Sequence, residues 1–241
     1  TLSLGTSGTV YAYSGRPFVD PRGEIAAFCD STGGWLPLLC TMNVTNTTEI
    51  VKSLFGLDNA RLERLARRAR PGAGGLLFLP FVDGERVPAL PSSSAVLFGL
   101  DRRTFDLPHI VRAVMEGTVL NLGYGFGRMR ELGLRPSEIR ATGGGSRSRL
   151  WLQIAADVLG TPVVTLRETE AAAYGAALQS VWNLRLEAGE KVAVADIAER
   201  WVAKGRLTAG PDPRNAGLYA DLRAGFDSLW RRLGPEFKGR S

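Results

Sequence analysis

Apolar and polar positions alternate from the start of the chain up to Leu4, stop at Gly5, Thr6, Ser7 and Gly8, and resume with Thr9, Val10 and Tyr11. This pattern predicts two short strands over residues 1–13 around a Gly-Thr-Ser-Gly tip. Residues 14–23, "SGRPFVDPRG", are rich in turn formers, and "IAAFCDSTGGWLPLL" reads as strand, loop, strand. From Thr45 the spacing changes to that of a helix. Its first turn is the polar "TNTTE", Ile50, Val51, Leu54 and Phe55 share its apolar face, and Gly56 stops it. A second helix covers residues 59–70 and ends at Pro71-Gly72. The continuous apolar run "GGLLFLPFV" (74–82) predicts a strand buried on both faces. The polar, Pro-bearing "DGERVPALPSSS" that follows is a long loop, of the kind that often carries function.

Asp106, Leu107 and Pro108 open a long helix in which Ile110, Val111, Val114 and Thr118 form a stripe and which Gly133 closes. Gly123, Gly125 and Gly127 lie inside it. Each costs about 1 kcal/mol relative to Ala, so either close packing or a kink must account for them. Next come a strand at residues 139–142, the glycines Gly143, Gly144 and Gly145, and a helix capped by Ser146 that runs to Leu159 with Gly160 at its C-terminus. A strand at 162–166, a helix at 168–181 and helices near 194–203 and 213–233 complete the reading. Strands first and α/β alternation afterwards predict an α/β domain: a mixed β-sheet with helices on both faces.

Composition narrows the functions this pattern can serve. The 241 residues, 44% of them hydrophobic, suffice for a core that hides roughly 70–75% of the unfolded surface without disulfides. The net charge of +6 mildly favours an anionic ligand, but the densest basic run, "RLERLARRAR" (61–70), has helical spacing and reads as a solvated face. No aromatic residues interleave with it, so a nucleic-acid partner is not expected. The two cysteines, Cys29 and Cys40, lie in apolar stretches and read as reduced structural thiols, and a single histidine, His109, cannot build a His-based metal site. No apolar run is long enough for a membrane span and no signal peptide is visible, so no membrane partner and a cytoplasmic location are expected.

The candidate chemistry lies in two glycine-bearing turns. Strand–Gly-Gly-Gly–helix lets a ligand approach backbone N–H groups at a helix N-terminus, although a plain structural turn also wants glycine. Gly145-Ser146-Arg147 lacks the lysine of a Walker A loop. Gly143 and Gly145 meet the first two positions of a GxGxxG fingerprint, Ser148 stands at the third, and Glu168 follows the next strand, which keeps a dinucleotide-binding alternative in view. At the other turn, Gly5 and Gly8 permit positive φ and close approach, while Thr6 and Ser7 offer hydroxyls and N–H donors for a phosphate.

Together these motifs resemble the C-terminal half of the FGGY carbohydrate kinases, members of the actin-like, ribonuclease-H-like ATPase superfamily. "LSLGTSG" (2–8) is similar to that family's second phosphate loop, and "FLPFVDGERVP" (78–88) to its GERtP segment, with Val87 where Thr is usual. "AVLFGLDRRTFDLPHIVRAVMEG" (95–117) resembles the C-terminal signature, "ATGGGSRSRLWLQIAADVLGTPV" (141–163) the adenosine motif, and "EAAAYGAAL" (170–178) the helix after it. The resemblance covers the chain to about residue 182, and "FC…GGW" with "GERxP" looks most like the xylulokinase branch, although Asp30 stands where His is often found.

The resemblance implies Mg-dependent transfer of the ATP γ-phosphoryl group to a sugar, D-xylulose in the first instance, with ribulose, gluconate, glycerol or fuculose as alternatives. It places Thr6 at the β/γ-phosphates, Gly144, Gly145 and Arg149 at the adenosine, and Thr45 and Glu49 on a nucleotide-facing patch. The family's catalytic Asp lies just upstream of "LSLGTSG", where only Thr1 stands, so catalytic base, sugar contacts and N-terminal domain are expected outside this chain and the chain alone is expected to be inactive. A homodimer is a further implication. Of the remaining acidic residues, Asp30, Asp83 and Glu85 are weighed as substitute bases. The loop at 83–86 reads rather as an interface fixed by Arg86 ion pairs, and Asp157, Glu116 and His109 read as capping or interhelix residues. A non-kinase actin-like module is the reading from another class, and the long match at 95–117 counts against it.

Overall fold

A computed structural model describes residues 1–168 and 170–238. Its centre is a seven-stranded mixed sheet. The opening hairpin is as expected: β1 (Leu2–Leu4) and β2 (Gly8–Tyr11) pair antiparallel, and β4 (Trp35–Thr41) and β3 (Ala26–Cys29) extend the sheet beyond β2. On its other side β1 pairs parallel with β7 (Ile139–Thr142), which pairs parallel with β8 (Val163–Leu166). An antiparallel edge strand, β9 (Lys204–Ala209), closes the sheet. Sequence periodicity misses β9, because "KGRLTA" carries Gly205 and too few apolar residues to alternate.

Helix α1 (Thr45–Phe55) ends on Gly56 in the left-handed conformation, as expected, but its buried side is not the apolar face. Ile50, Leu54 and Phe55 are exposed, and Thr47, Thr48 and Val51 point inward. The two threonines tolerate burial because Thr47 Oγ1 donates to the Val44 carbonyl at 2.7 Å and Thr48 Oγ1 to the Thr45 carbonyl at 2.8 Å. Helix α2 (Asn59–Arg68) is capped by Asp58 and turns Leu62 and Ala66 inward, leaving its arginines in solvent.

The run at 74–82 does not enter the main sheet. Left-handed glycines at Gly72, Gly74 and Gly75 and the following Pro80 leave only β5 (Leu77–Leu79) extended, paired with β6 (Val96–Phe98) in a separate two-stranded ribbon. The ribbon lies on α3 (Leu107–Glu131) and α7 (Ala216–Phe237), which buries Leu77 and Leu79 as thoroughly as a central strand would.

Helix α3 is the molecule's spine. It touches α1, α2, α7, β2, β4, β5 and α4 (Arg149–Leu159), and its Met115, Val119, Leu122 and Met129 are fully buried. It runs unbroken through its glycines, so packing is the reason for Gly125: a Cβ there would stand 2.3 Å from Leu39 Cδ1. Asp106 caps its start by accepting the His109 N–H, which makes His109 a capping partner as expected. Helix α5 (Ala171–Glu187) continues beyond its expected end and pairs with α6 (Val194–Trp201), and none of its residues is fully buried. Thr169, within the helix expected at 168–181, lies outside the described residues. Cys40 is half-buried, but Cys29 is exposed on the edge strand β3, so it is a free surface thiol rather than a packed one. No helix among the described residues is long and apolar enough to cross a membrane.

Candidate functional site

The parallel pairing of β1 with β7, Leu2 beside Ala141 and Ser3 beside Thr142, sends both strands to the same end of the sheet. There each runs into one of the two glycine-bearing turns. The carboxyl ends of parallel strands are where open α/β sheets present ligand sites. The turns touch: Gly143 has φ +84, and a Cβ on it would lie 2.8 Å from the Leu4 carbonyl oxygen and 3.2 Å from the Gly5 nitrogen. A Cβ on Gly145 would meet Leu4 Cβ at 2.8 Å, whereas one on Gly144 would meet nothing within 4 Å. Gly143 and Gly145 therefore join the turns, and Gly144 faces open space.

The hairpin tip is oriented from behind by α1. Thr45 donates both its N–H (3.0 Å) and its Oγ1 (2.9 Å) to the Gly5 carbonyl, and the Val44 N–H donates to the Thr6 carbonyl at 3.0 Å. With those carbonyls engaged, Thr6 and Ser7 are exposed, and neither hydroxyl has a partner among the described residues. Gly5 and Gly8 do not need positive φ, contrary to expectation. Gly8 is required by packing, since a Cβ would lie 2.6 Å from Val44 Cγ2.

Beside the turns opens a cleft of about 410 Å³. Thr45, Thr48 and Glu49 of α1 line one side, Asn59, Leu62 and Glu63 of α2 another, and Gly144, Gly145, Arg147 and Ser148 the end next to the hairpin. Leu62 and Trp151, each about 5% exposed, contribute its small apolar surface, with the fully buried Met115 behind them. Its acidic groups are compensated: Glu49 pairs with Lys52 at 2.7 Å and Glu63 with Arg67. Ser148 Oγ donates to Glu63 Oε2 at 2.7 Å and accepts the Trp151 N–H at 3.2 Å. Ser148, not the expected Ser146, thus caps α4. The chain first makes a 3-10 turn over Gly144–Arg147, in which Ser146 Oγ donates to the Gly143 carbonyl.

Of the six candidate residues, the structure gathers Thr45, Glu49, Gly144 and Gly145 around this one cleft. Thr6 sits on the adjoining tip, and Arg149, exposed at the start of α4, is not among the lining residues, where Arg147 stands instead. Asn59, Glu63, Ser148 and Trp151 escaped sequence reasoning. The signals were present in part: Thr48 follows Thr45 by a helical turn, and Asp58 marks the start of α2. That α2 lies opposite α1 is a tertiary fact.

The acidic residues weighed as substitute bases are occupied. Asp83 Oδ2 accepts from Asn46 Nδ2 at 3.0 Å, and Asp30 Oδ1 closes a turn by accepting the Thr32 N–H at 2.8 Å. Glu85 is buried and accepts from the Met42 and Arg86 N–H groups at 2.7 Å and from Asn121 Nδ2 at 3.0 Å. Burial is the largest influence on its carboxyl and, against these hydrogen bonds, raises its pKa. The 83–86 loop is therefore held by Glu85, while Arg86 forms no ion pair among the described residues and donates to Cys40 Sγ at 3.3 Å. Glu116 and Asp157 are the interhelix partners expected: Glu116 takes Arg112 and Tyr219, and Asp157 takes Gln153 and Asn215.

A mixed sheet with two touching turns at the end of its parallel strands, over a cleft walled by helices, has the ribonuclease-H-like, actin-like ATPase fold. The chain superposes on a ligand-bound xylulose kinase from Lactobacillus acidophilus with a TM-score of 0.90, over 100% of this chain and 48% of that one, at 23% identity. Residues 1–184 match the C-terminal domain of the FGGY family of carbohydrate kinases, and the chain belongs to that family. It is 46% identical to the xylulose kinase of Haemophilus influenzae over 182 residues, covering 76% of this chain and 37% of that protein. To the gluconokinase of Bacillus licheniformis it is 30% identical over 251 residues, covering 98% and 47%. The chain thus spans less than half the length of these relatives.

Proposed function

We propose that this chain is the ATP-binding half of a sugar kinase that transfers the γ-phosphoryl group of ATP to D-xylulose, giving D-xylulose 5-phosphate. The observation that carries the reading is the contact between the Gly5–Thr6–Ser7–Gly8 tip and the Gly143–Gly144–Gly145 turn beside a cleft of about 410 Å³. In this reading Thr6 and Ser7 donate to the phosphates, Gly144 and Gly145 let the ribose approach the backbone, and the adenine lies against Leu62 and Trp151. Thr45 acts through the tip that it orients. Glu49 and Arg147 border the nucleoside, and Arg149 stands outside this contact set.

Magnesium enters as the metal complex of ATP. Among the described residues no group of three or more His, Cys, Asp or Glu side chains is placed to hold a metal ion. A magnesium ion bound with a nucleotide is held largely by the substrate phosphates and water. Phosphoryl transfer needs positioning and charge stabilisation more than covalent chemistry, and this half supplies the nucleotide's share of both. The sugar contacts and the base that takes the hydroxyl proton are assigned to the remaining, N-terminal domain. The xylulose assignment rests on the 46% identity to a xylulose kinase, and gluconate is the second reading because a gluconokinase relative spans nearly the whole chain. The dinucleotide alternative loses its footing: among the described residues only β1, β7 and β8 run parallel, and antiparallel strands flank them.

Trp151 in the cleft provides a test. Titration with MgATP is expected to change tryptophan fluorescence saturably and titration with NADH to leave it unchanged, and the reverse would reject the nucleotide assignment. Assay of the intact protein containing this chain against D-xylulose and gluconate decides the sugar: faster turnover of gluconate would overturn the xylulose assignment.

A further inference from the structure

At the far end of α3, a second hollow of about 580 Å³ is lined by Gly127, Arg130, Glu131, Arg135, Pro136 and Arg223. Gly127 lies 12 residues beyond Met115 of the nucleotide cleft, or about 18 Å along the helix axis. Three arginines from three places in the chain converge there: Arg130 from the last turn of α3, Arg135 from the loop after it, and Arg223 from α7. None has a carboxylate within 4 Å among the described residues, although the charge of Arg223 reaches Asp227 and lowers its pKa against the effect of burial. Arg130 donates to Thr161 Oγ1 at 2.6 Å and stacks on Phe126 at 4.7 Å. Glu131, the acid of the hollow, is turned to Arg128 at 2.8 Å and Arg22 at 3.8 Å. Asp227, near Arg223, has its ion pair with Arg231 at 3.9 Å.

The glycine inside the helix belongs to this arrangement. A Cβ on Gly127 would lie 3.3 Å from Arg223 Nη2, so the guanidinium lies against the helix at this position and would shift by a few tenths of an ångström to admit a side chain. Attraction to the carbonyl end of α3 accounts for Arg130 by itself. It does not account for two further cations brought beside it. Burial, and then the charges of Arg223 and Arg135, lower the Arg130 pKa, so both neighbouring cations lie close enough to repel it. Arg130 and Arg223 are half-buried, which fixes their forks, and Arg135 is exposed at the rim.

We propose that Arg130, Arg135 and Arg223 form a binding site for a phosphate-bearing small anion, separate from the nucleotide cleft and independent of the function proposed above. Guanidinium forks match phosphate oxygens in pairs, and a multiply charged anion satisfies all three at once. The site sits where α3, the spine shared with the cleft, meets α7, so its occupancy has a direct structural route to the cleft through α3.

The probe is pyrophosphate, titrated calorimetrically at low ionic strength into the unaltered chain and into the Gly144→Val, Arg135→Gln and Arg223→Gln variants. Binding is expected to persist in Gly144→Val, which alters only the nucleotide cleft, and to weaken about tenfold in each Arg variant, the loss expected for one charge-assisted contact. Without anion, Arg223→Gln is expected to melt close to the unaltered chain, because it removes repulsion from Arg130 together with attraction to Asp227. If it melts lower, Arg135→Gln, at an exposed residue, decides. Affinities within twofold of the unaltered chain in both Arg variants, or no pyrophosphate binding in Gly144→Val, would overturn the proposal. So would binding of a poly-glutamate peptide without binding of pyrophosphate, which would mark the hollow as a protein-docking surface.

Discussion

Gly143 and Gly144 are neighbours with opposite requirements, and the difference can be measured. The backbone of Gly143, with φ +84 and ψ +175, is closed to other residues, and its missing Cβ leaves room for Leu4 and Gly5. Gly143→Ala is expected to cost about 1–3 kcal/mol in urea unfolding. Gly144→Val has open space before it and should leave stability nearly unchanged while weakening MgATP binding. Equal stability losses in the two variants would mean that Gly144 is structural as well. Glu85 is legible through pH instead. Burial makes the folded chain hold this proton more tightly than the unfolded chain does, whose carboxyl keeps its ordinary value of 4.5. Its contribution to stability therefore falls as pH rises from 4.5 through the raised folded pKa, and levels off above it. Glu85→Gln should remove that fall. Urea midpoints of both proteins measured from pH 4.5 upward check it, and parallel curves would count against a raised pKa.

Between elements, the firmest polar tie is one carboxylate. Glu116 Oε1 accepts from Arg112 Nε at 2.5 Å, Tyr219 OH at 2.8 Å and the Gly72 N–H at 3.0 Å, and so joins α3, α7 and the turn after α2. Arg112 is only 5% exposed, so Glu116→Ala strands a buried cation and is expected to cost about 3–5 kcal/mol. Tyr219→Phe keeps the ion pair and should cost about 1–3 kcal/mol. Denaturant melts of the two variants check the order, and an equal cost would mean that the pair contributes little. The sequence announces Glu116 as a capping or interhelix residue with Arg112 a helical turn away, but not its other partners, which lie 44 and 103 positions away. The same limit explains which elements were legible. Helices α2 and α3 announce themselves through the local caps Asp58 and Asp106. The inward face of α1 does not, because hydroxyls bonded to their own helix let Thr47 and Thr48 lie buried while Leu54 stays in solvent. The run that holds β5 reads as a strand buried on both faces, because burial under α3 and α7 leaves the same apolar run as burial between neighbouring strands. At the candidate site, the two glycine turns could be read locally, but the opposition of α1 and α2 across the cleft could not.

For the whole molecule, the decisive question is whether any group here can accept a proton from a sugar hydroxyl. Proton acceptance needs a carboxylate within hydrogen-bond reach of the reacting oxygen and free to bind it. Asp83 is engaged with Asn46, Asp30 closes its own turn, and Glu85 is buried under its own set of donors. The cleft carboxylates Glu49 and Glu63 are held by Lys52 and by Arg67 with Ser148. The chain also covers only 37% of its xylulose kinase relative, and kinases of two domains close around their ligands, so half a cleft sacrifices affinity as well as positioning. The expected behaviour is a dissociation between binding and chemistry. Purified chain 1–241 should bind MgATP weakly, as read by tryptophan fluorescence, and show no turnover above background with D-xylulose in a coupled assay for ADP release. Turnover by the chain alone would mean that one of its own carboxylates is the base, and Asp83→Asn, which keeps the loop's size and shape, would then be expected to abolish it. If nucleotide binding failed as well, the cleft would depend on the remaining domain for its shape, and the same titration on the intact protein should restore it.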